Sequence, residues 1–392
     1  MIPIIDTIEI SYRVSEETFI YIYTHLIGCD PLNVERYLRC KRLKQKFSCP
    51  EFYAHINEYI KHLPNGILNF YGYPSGKPLD PYCYISITVS PYLLINNTPS
   101  SVNLFAGTES NIDLFKRRYS EVMRSLYPQQ SGGVEYFFIN SDFSGMYDFD
   151  FVYLSRVDCS FNFRIAGDDN RNPDNRLASL YIFLLNACSR PYGKLKYSQQ
   201  NTEFKYNQVR YASNSLNVVI YDKFAQLSEK SNYAALNMLL DGLGFDGVLR
   251  YEVQILRKKL RSLIRANRYS NTNLLTEEFT HAVLLNYANK IFFTGSWRKK
   301  DNAINALTQS LKKSECSKCI SLLDFIADKQ SVRTALKSTT LSASTIDKRF
   351  KNLSAANTQP YYIPVNKYRD YNLKNRLKNS GELPDIFTQL TA

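Results

Sequence analysis

The sequence predicts an α+β protein: a mainly antiparallel sheet core with flanking helices, followed by a smaller, basic, mostly helical region. Three observations predict it. Segments alternating with a period of two recur through roughly the first 260 residues and interleave with segments of helical period. After about residue 270 the strand signal fades and helical spacing dominates. Residues 271–392 carry 18 Lys and Arg against 10 Asp and Glu, so +8 of the net +13 lies there. The boundary is therefore placed at 270, between a core (1–270) and an accessory region (271–392).

Ile8, Ile10, Tyr12 and Val14 alternate along residues 7–14 and predict a first strand. Ser15 caps a helix over Glu16 to Leu26, and a second runs from Glu51 to Leu63, stopped by Pro64-Asn65-Gly66. Ile67 to Tyr73 and Tyr82 to Ser90 are rich in aromatic and β-branched residues and pair as a hairpin across Pro74-Ser75-Gly76-Lys77-Pro78. Next come a helix over Asn111 to Leu126, strands over Val134 to Asn140 and Phe151 to Phe163, and a helix over Asn175 to Cys188. A polar stretch near 198 to 214 leads to a strand at Leu216 to Asp222, a helix at Ser228 to Leu243 and a strand at Gly247 to Ile255. The tail from about 355 reads as extended.

Composition narrows the function. At 44% hydrophobic and 22% charged residues the chain has the makings of a folded core. No apolar run approaches the roughly 18 to 20 residues that span a bilayer, so no membrane segment is expected. Eight scattered cysteines read as reduced thiols, and the lone Cys316/Cys319 pair lacks partners for a zinc site. A net charge of +13 points to a polyanionic partner. Gly72 to Pro78 has the wrong glycine spacing, and Pro78 where a phosphate-binding loop needs Ser or Thr, so no ATP binding is expected.

Three apolar strands carry charge: Arg156-Val157-Asp158, Tyr221-Asp222-Lys223 and Arg250-Tyr251-Glu252. Alternation puts 156 with 158, 221 with 223 and 250 with 252 on one face of a sheet. If those faces coincide, Asp158 and Glu252 supply hard oxygen ligands for Mg2+ or Mn2+ at a scissile phosphate, and Tyr221 supplies a nucleophile. Lys223 favours its phenolate, and Arg156 and Arg250 stabilise the phosphate charge. The other reading of such pairs is ordinary cross-strand salt bridges. Asp6 and Asp222 are candidates for a third ligand, with Asp222 expected on the opposite face.

Several segments, in order, resemble the filamentous phage replication initiators, the gene II protein family: Ser90-Pro91, Asn103 to Gly107, Leu154 to Phe161, Val218 to Lys223 and Val248 to Glu252. The resemblance spans roughly residues 82 to 260 and implies that Tyr221 becomes joined to DNA, with a lysine two residues on. It implies a nickase of a phage, plasmid or integrated element that starts rolling-circle replication in the host bacterial cytoplasm. Tyr221 would attack origin DNA, leave a 5′-phosphotyrosine and later rejoin the displaced strand. A host helicase and DNA polymerase would be partners, and origin DNA would be met in double- and single-stranded form. The His-hydrophobe-His motif of many initiators is absent, so acidic residues would hold the metal.

In the basic region, a helix near Ser331 to Lys337, a turn at Ser338 to Ser342 and a helix from Ala343 to Leu353 have helix-turn-helix spacing. Ser344, Thr345, Lys348, Arg349 and Lys351 on the second helix are candidates for nucleic-acid contact. The alternative there is a plain helical hairpin. An internal start at Met238 would give a product with Glu252 but without Asp158 and Tyr221. The competing reading of the whole chain is a DNA-binding regulator without catalysis.

Overall fold

Alternation in the first residues produces strand β1 (Ile4–Ser15), which buries Ile8, Ile10, Tyr12 and Val14. The Ser15 hydroxyl accepts from the Thr18 amide and caps α1 (Glu16–Tyr21), which runs on as a π-helical turn over Ile22–Leu26. The computed structural model describes residues 4–75, 82–96, 105–127, 146–165, 176–190, 196–200, 208–229, 248–267, 269–363 and 382–391.

Helices α2 (Pro31–Arg42) and α3 (Pro50–Lys61) follow, each opened by proline at its first position. The sequence predicts only the second of these. In α2 just Val34, Tyr37 and Leu38 are buried, too narrow a stripe amid charge to stand out. β2 (Ile67–Pro74) and β3 (Tyr82–Val89) pair antiparallel as expected; Gly76 to Pro78 lies outside the described residues. Gly72 has a packing reason of its own: an added Cβ would stand 2.6 Å from the Phe19 ring.

α4 (Pro91–Asn96), β4 (Phe105–Ala106), α5 (Glu109–Leu126), β5 (Tyr153–Arg164) and α6 (Arg176–Cys188) come next. The strand expected at Val134 to Asn140 lies outside the described residues. So do Asn103 and Leu104, Met238 and the expected helix beyond residue 229. Within the polar stretch, β6 (Lys196–Gln200) and β7 (Gln208–Ala212) form a hairpin that hydrophobic alternation did not announce. β8 (Leu216–Asp222) ends where α7 (Lys223–Glu229) begins, so Lys223 opens a helix and does not continue the strand as expected. The Asp222 carboxylate accepts from the Ala225 amide, and this local bond turns the chain.

β9 (Val248–Leu256) runs directly into α8 (Arg257–Asn267). Among the described residues the strands make one nine-stranded sheet, ordered β2-β3-β1-β5-β9-β8-β7-β6, with β4 against β1. Its named pairings are all antiparallel. A second, two-stranded ribbon joins β10 (Trp297–Arg298) to β11 (Glu382–Leu383), the latter within the stretch expected to be extended.

After residue 270, helix α9 (Glu277–Ile291) packs on β1, β5 and β9, while α10 (Lys300–Ser310), α11 (Lys313–Asp328), α12 (Val332–Ser338) and α13 (Ala343–Ala355) form the basic helical part. The apolar core runs unbroken from Ile5 through Tyr251 to Leu390, so the segment after 270 shares the core of the sheet. Cys316 and Cys319 are buried in α11. No helix among the described residues is long and apolar enough to cross a membrane.

Candidate functional site

β5, β8 and β9 sit side by side, and their register decides which side chains meet. Tyr221 lies opposite Arg250, Val219 opposite Glu252, Ser160 opposite Glu252, and Asn162 opposite Arg250. The even positions of β5 and β9 and the odd positions of β8 therefore share a face. Their neighbours Phe161, Phe163, Tyr251 and Val253 are buried on the other. β1 contributes through register shifts between Ile5 and Ile8, where the extra residue lets both Asp6 and Thr7 reach the same cleft.

That cleft measures about 530 Å³ and is lined by Asp6, Thr7, Arg156, Asp158, Tyr221, Lys223 and Glu252, among others. The Tyr221 hydroxyl donates to Glu252 Oε1 at 2.5 Å. The second Glu252 oxygen accepts from Gln254 at 3.4 Å. Beneath Tyr221 the wholly buried Arg250 pairs with Asp6 at 3.2 Å and donates to Asn162 at 3.0 Å. Arg250 thus supports the site from below and does not line the cleft. The Lys223 ammonium stands 5.9 Å from the Tyr221 ring centre and donates to Gln226 at 2.8 Å.

Protonation follows from this crowding. Burial, then the Asp6 and Asp158 charges, push Glu252 up to about 7. Burial alone would raise Asp6, but Arg250 and then Lys223 outweigh it and hold it below the usual carboxylate range. Burial and the Glu252 charge raise the Tyr221 phenol well above its ordinary value, so it rests protonated and donates. A glutamate poised near neutrality beside a phenol is suited to take its proton.

Asp158 behaves differently from the sequence-based expectation of a free metal ligand. Its Oδ1 accepts from Arg156 Nε at 2.7 Å; its Oδ2 takes a short bond from Arg156 Nη2 and another from Thr7 at 2.6 Å. Burial raises this carboxyl, with Arg156 opposing. No group of three His, Cys, Asp or Glu side chains among the described residues is arranged to hold a metal ion. As these side chains stand, Asp158 and Glu252 do not fit a shared Mg2+ or Mn2+: each is already engaged, and an ion at Asp158 would have to displace the Arg156 guanidinium. Asp222 points to its own helix cap, on the face away from the cleft.

A scan against protein-family models and a search of curated protein sequences give no match to this chain. Among solved structures, a rolling circle replication initiator protein from Geobacillus stearothermophilus is similar at 10% identity over 74% of this chain and 85% of that one, with a TM-score of 0.27. A superposition at that level carries no weight for fold or function, and the site is read from its own geometry.

Gln254 and Asn162 continue the alternation of 250/252 and 156/158, so that signal was present in the sequence. Thr7 had none, because a bulge brings it in. In the basic region α12 and α13 are joined by a turn and packed on α11, an arrangement common to a helix-turn-helix and to a plain helical hairpin. Ser344 and Lys351 are exposed. Thr345 is tied to the Ser342 cap, Lys348 pairs with Glu315 at 3.2 Å, and the half-buried Arg349 offers its carbonyl to Cys319.

Proposed function

We propose that this chain is a rolling-circle replication initiator that nicks one strand of origin DNA through Tyr221. The observation that carries the reading is the Tyr221–Glu252 hydrogen bond in an open cleft walled by cations. Glu252 takes the phenol proton as Oη attacks phosphorus. A tyrosyl O–P bond forms, the P–O3′ bond breaks, and the departing 3′ oxygen takes a proton, for which the Lys223 ammonium is a donor in the same cleft. Arg156, half-exposed beside Asp158, is placed to meet the charge that builds on the phosphate. Arg250 and Asp6 are positioning residues that fix Tyr221 and Glu252. The energy of the broken bond is kept in the phosphotyrosine, so the same atoms run in reverse rejoin the displaced strand.

The free 3′ end would be extended by a host polymerase, with a host helicase opening the duplex, in the bacterial cytoplasm. α12 and α13 would hold double-stranded origin DNA, with Ser344, Arg349 and Lys351 toward the backbone and with Thr345 and Lys348 stabilising the helix and its packing. The test is nicking of supercoiled replicon DNA with and without Mg2+ or Mn2+, comparing the intact chain with Tyr221→Phe. Loss of nicking and of the covalent 5′ adduct, with DNA still bound, supports the reading. If Tyr221→Phe nicks normally, another nucleophile is at work; if neither protein nicks DNA that both bind, the chain is a regulator.

A further inference from the structure

β9 does not end at the cleft. Five residues beyond Glu252 the chain enters α8, about 17 Å further along the strand at roughly 3.4 Å per residue. α8 reads Arg-Lys-Lys-Leu-Arg-Ser-Leu-Ile-Arg-Ala-Asn and contains five basic residues and no acidic one. Leu260 is buried and anchors it, while Lys258, Arg261 and Arg265 are exposed. None of the five pairs with a carboxylate among the described residues, although cations elsewhere on the surface commonly do. With Asn214 and Ser262, Arg257, Lys258, Arg261 and Arg265 line a shallow groove of about 740 Å³.

The N-terminal end of this helix meets an aromatic surface. The Arg257 guanidinium lies 5.2 Å from the Tyr84 ring centre; Tyr84 stacks on Tyr73 at 5.5 Å, and Tyr73 on Tyr71 at 5.9 Å. Tyr84 shares the outward set of β3 with Thr88, which lines the cleft, so cleft, tyrosines and groove lie on one side of the sheet. Unopposed cations suit phosphates, and aromatic faces beside them suit bases that are not paired.

We propose that α8 and the Tyr84–Tyr73 run hold the single-stranded DNA that leads out of the Tyr221 cleft, phosphates on Lys258, Arg261 and Arg265 and bases on the tyrosines. The assignment of the strand rests on reading the cleft as the cleavage site; the chemistry of the groove does not. A duplex presents its phosphates but hides its base faces, so the tyrosines favour an unpaired strand.

The experiment is fluorescence anisotropy of the full chain with a single strand of about 20 nucleotides and with the matching duplex, over a salt series. A Lys258→Ala/Arg261→Ala/Arg265→Ala variant should bind the single strand at least about tenfold more weakly, with the slope of log K against log salt reduced by about 2, near 0.7 per lost phosphate contact. Arg261→Lys/Arg265→Lys should keep the slope. Tyr84→Leu should weaken single-strand binding about fivefold or more and leave the slope unchanged. Unchanged affinity and slope in the triple variant, with normal thermal unfolding, would overturn the proposal; so would a larger loss on duplex than on single strand. Binding and adduct formation are separate readouts. A triple variant that binds normally while the intact chain forms the Tyr221 adduct removes the groove alone, and weakened binding in a protein that never forms an adduct removes the Tyr221 reading alone.

Discussion

The two faces of β5 and β9 are built from alternate residues of the same strands, yet they obey different rules. On the helix-covered face, Phe163 stacks on Tyr251 with ring centres 6.2 Å apart, Phe387 closes over both, and the Tyr251 hydroxyl donates to the Leu284 carbonyl at 3.0 Å. On the cleft face the same strands hold Arg156, Asp158, Arg250 and Glu252, of which only Arg156 has more than a few per cent of its side chain exposed. One face is stable because it excludes water. The other is tolerated because Arg156 is paired with Asp158 and Arg250 with Asp6, while Glu252 is hydrogen-bonded to Tyr221, and breaking a buried pair costs more than the pair itself contributes. Period-two alternation thus separates a structural set of residues from a reactive set within single strands.

The largest effect should come from the reactive set. Tyr221→Phe keeps the ring and its packing but removes the attacking oxygen, so adduct formation should fall at least about a thousandfold, while stability changes by no more than about 1 to 2 kcal/mol. Single-turnover labelling of a 5′ end, read beside a urea melt, checks both. Arg250→Met would sharpen the comparison from the other side. It sits on the cleft face but has no exposed surface, so its loss should act on folding: about 3 kcal/mol or more, because Asp6 keeps its charge without its partner. If Arg250→Met is as stable as the parent, the cleft face does not depend on charge pairing as described.

Glu252 makes the cleft face sensitive to pH. Its carboxyl gives up its proton near pH 7 in the folded chain but near 4.5 in the unfolded one, so the folded state holds the extra proton between those values. Stability contributed by this group is therefore present at low pH and lost as pH rises from about 4.5 through about 7, on the order of 3 kcal/mol in all. Glu252→Gln should remove that loss, being more stable than the parent at pH 8 and similar at pH 4. Adduct formation runs the opposite way in the intact chain, rising with pH through about 7 as the base form appears. Thermal melts and rates over the same pH series test the two signs together, and a pH-independent rate would remove Glu252 as the base.

Much of this division is legible in the sequence. The pairs 156/158 and 250/252 announced a charged sheet face because Arg and Asp inside an apolar strand break its pattern in a way that packing does not require. The antiparallel core followed from strand periodicity at β1, β5, β8 and β9 and from the aromatic and β-branched runs of β2 and β3 on either side of a turn. What stayed hidden depends on contacts between segments distant in sequence. The bulge in β1 that turns Asp6 and Thr7 together toward the cleft leaves no local mark, and the closing of Arg156 onto Asp158 is decided by side-chain geometry, not spacing. The hairpin of β6 and β7 was hidden because its cleft side is Gln208 and Arg210, polar by position. The basic region after 270 announced its helices by charge and period, but not that α9 would lie on the sheet, since an amphipathic stripe does not say what it faces.

The smallest expected effect lies far from the cleft and bears on whether charge pairing matters only when it is buried. Lys348 and Glu315 form an ion pair at 3.2 Å with the lysine side chain 67% exposed, the reverse of the Arg250–Asp6 situation. Water screens such a pair and the long side chain loses freedom in making it, so Lys348→Ala should change stability by no more than about 0.5 kcal/mol. Its effect on duplex binding should be correspondingly slight, because the Lys348 ammonium is directed at Glu315 on the neighbouring helix, whereas Lys351→Ala should weaken duplex binding more and reduce its salt dependence by about one phosphate contact. Anisotropy on a duplex with each variant separates the two. Equal losses would mean that the exposed Lys348–Glu315 pair opens when DNA arrives, as the buried pairs of the cleft face do not.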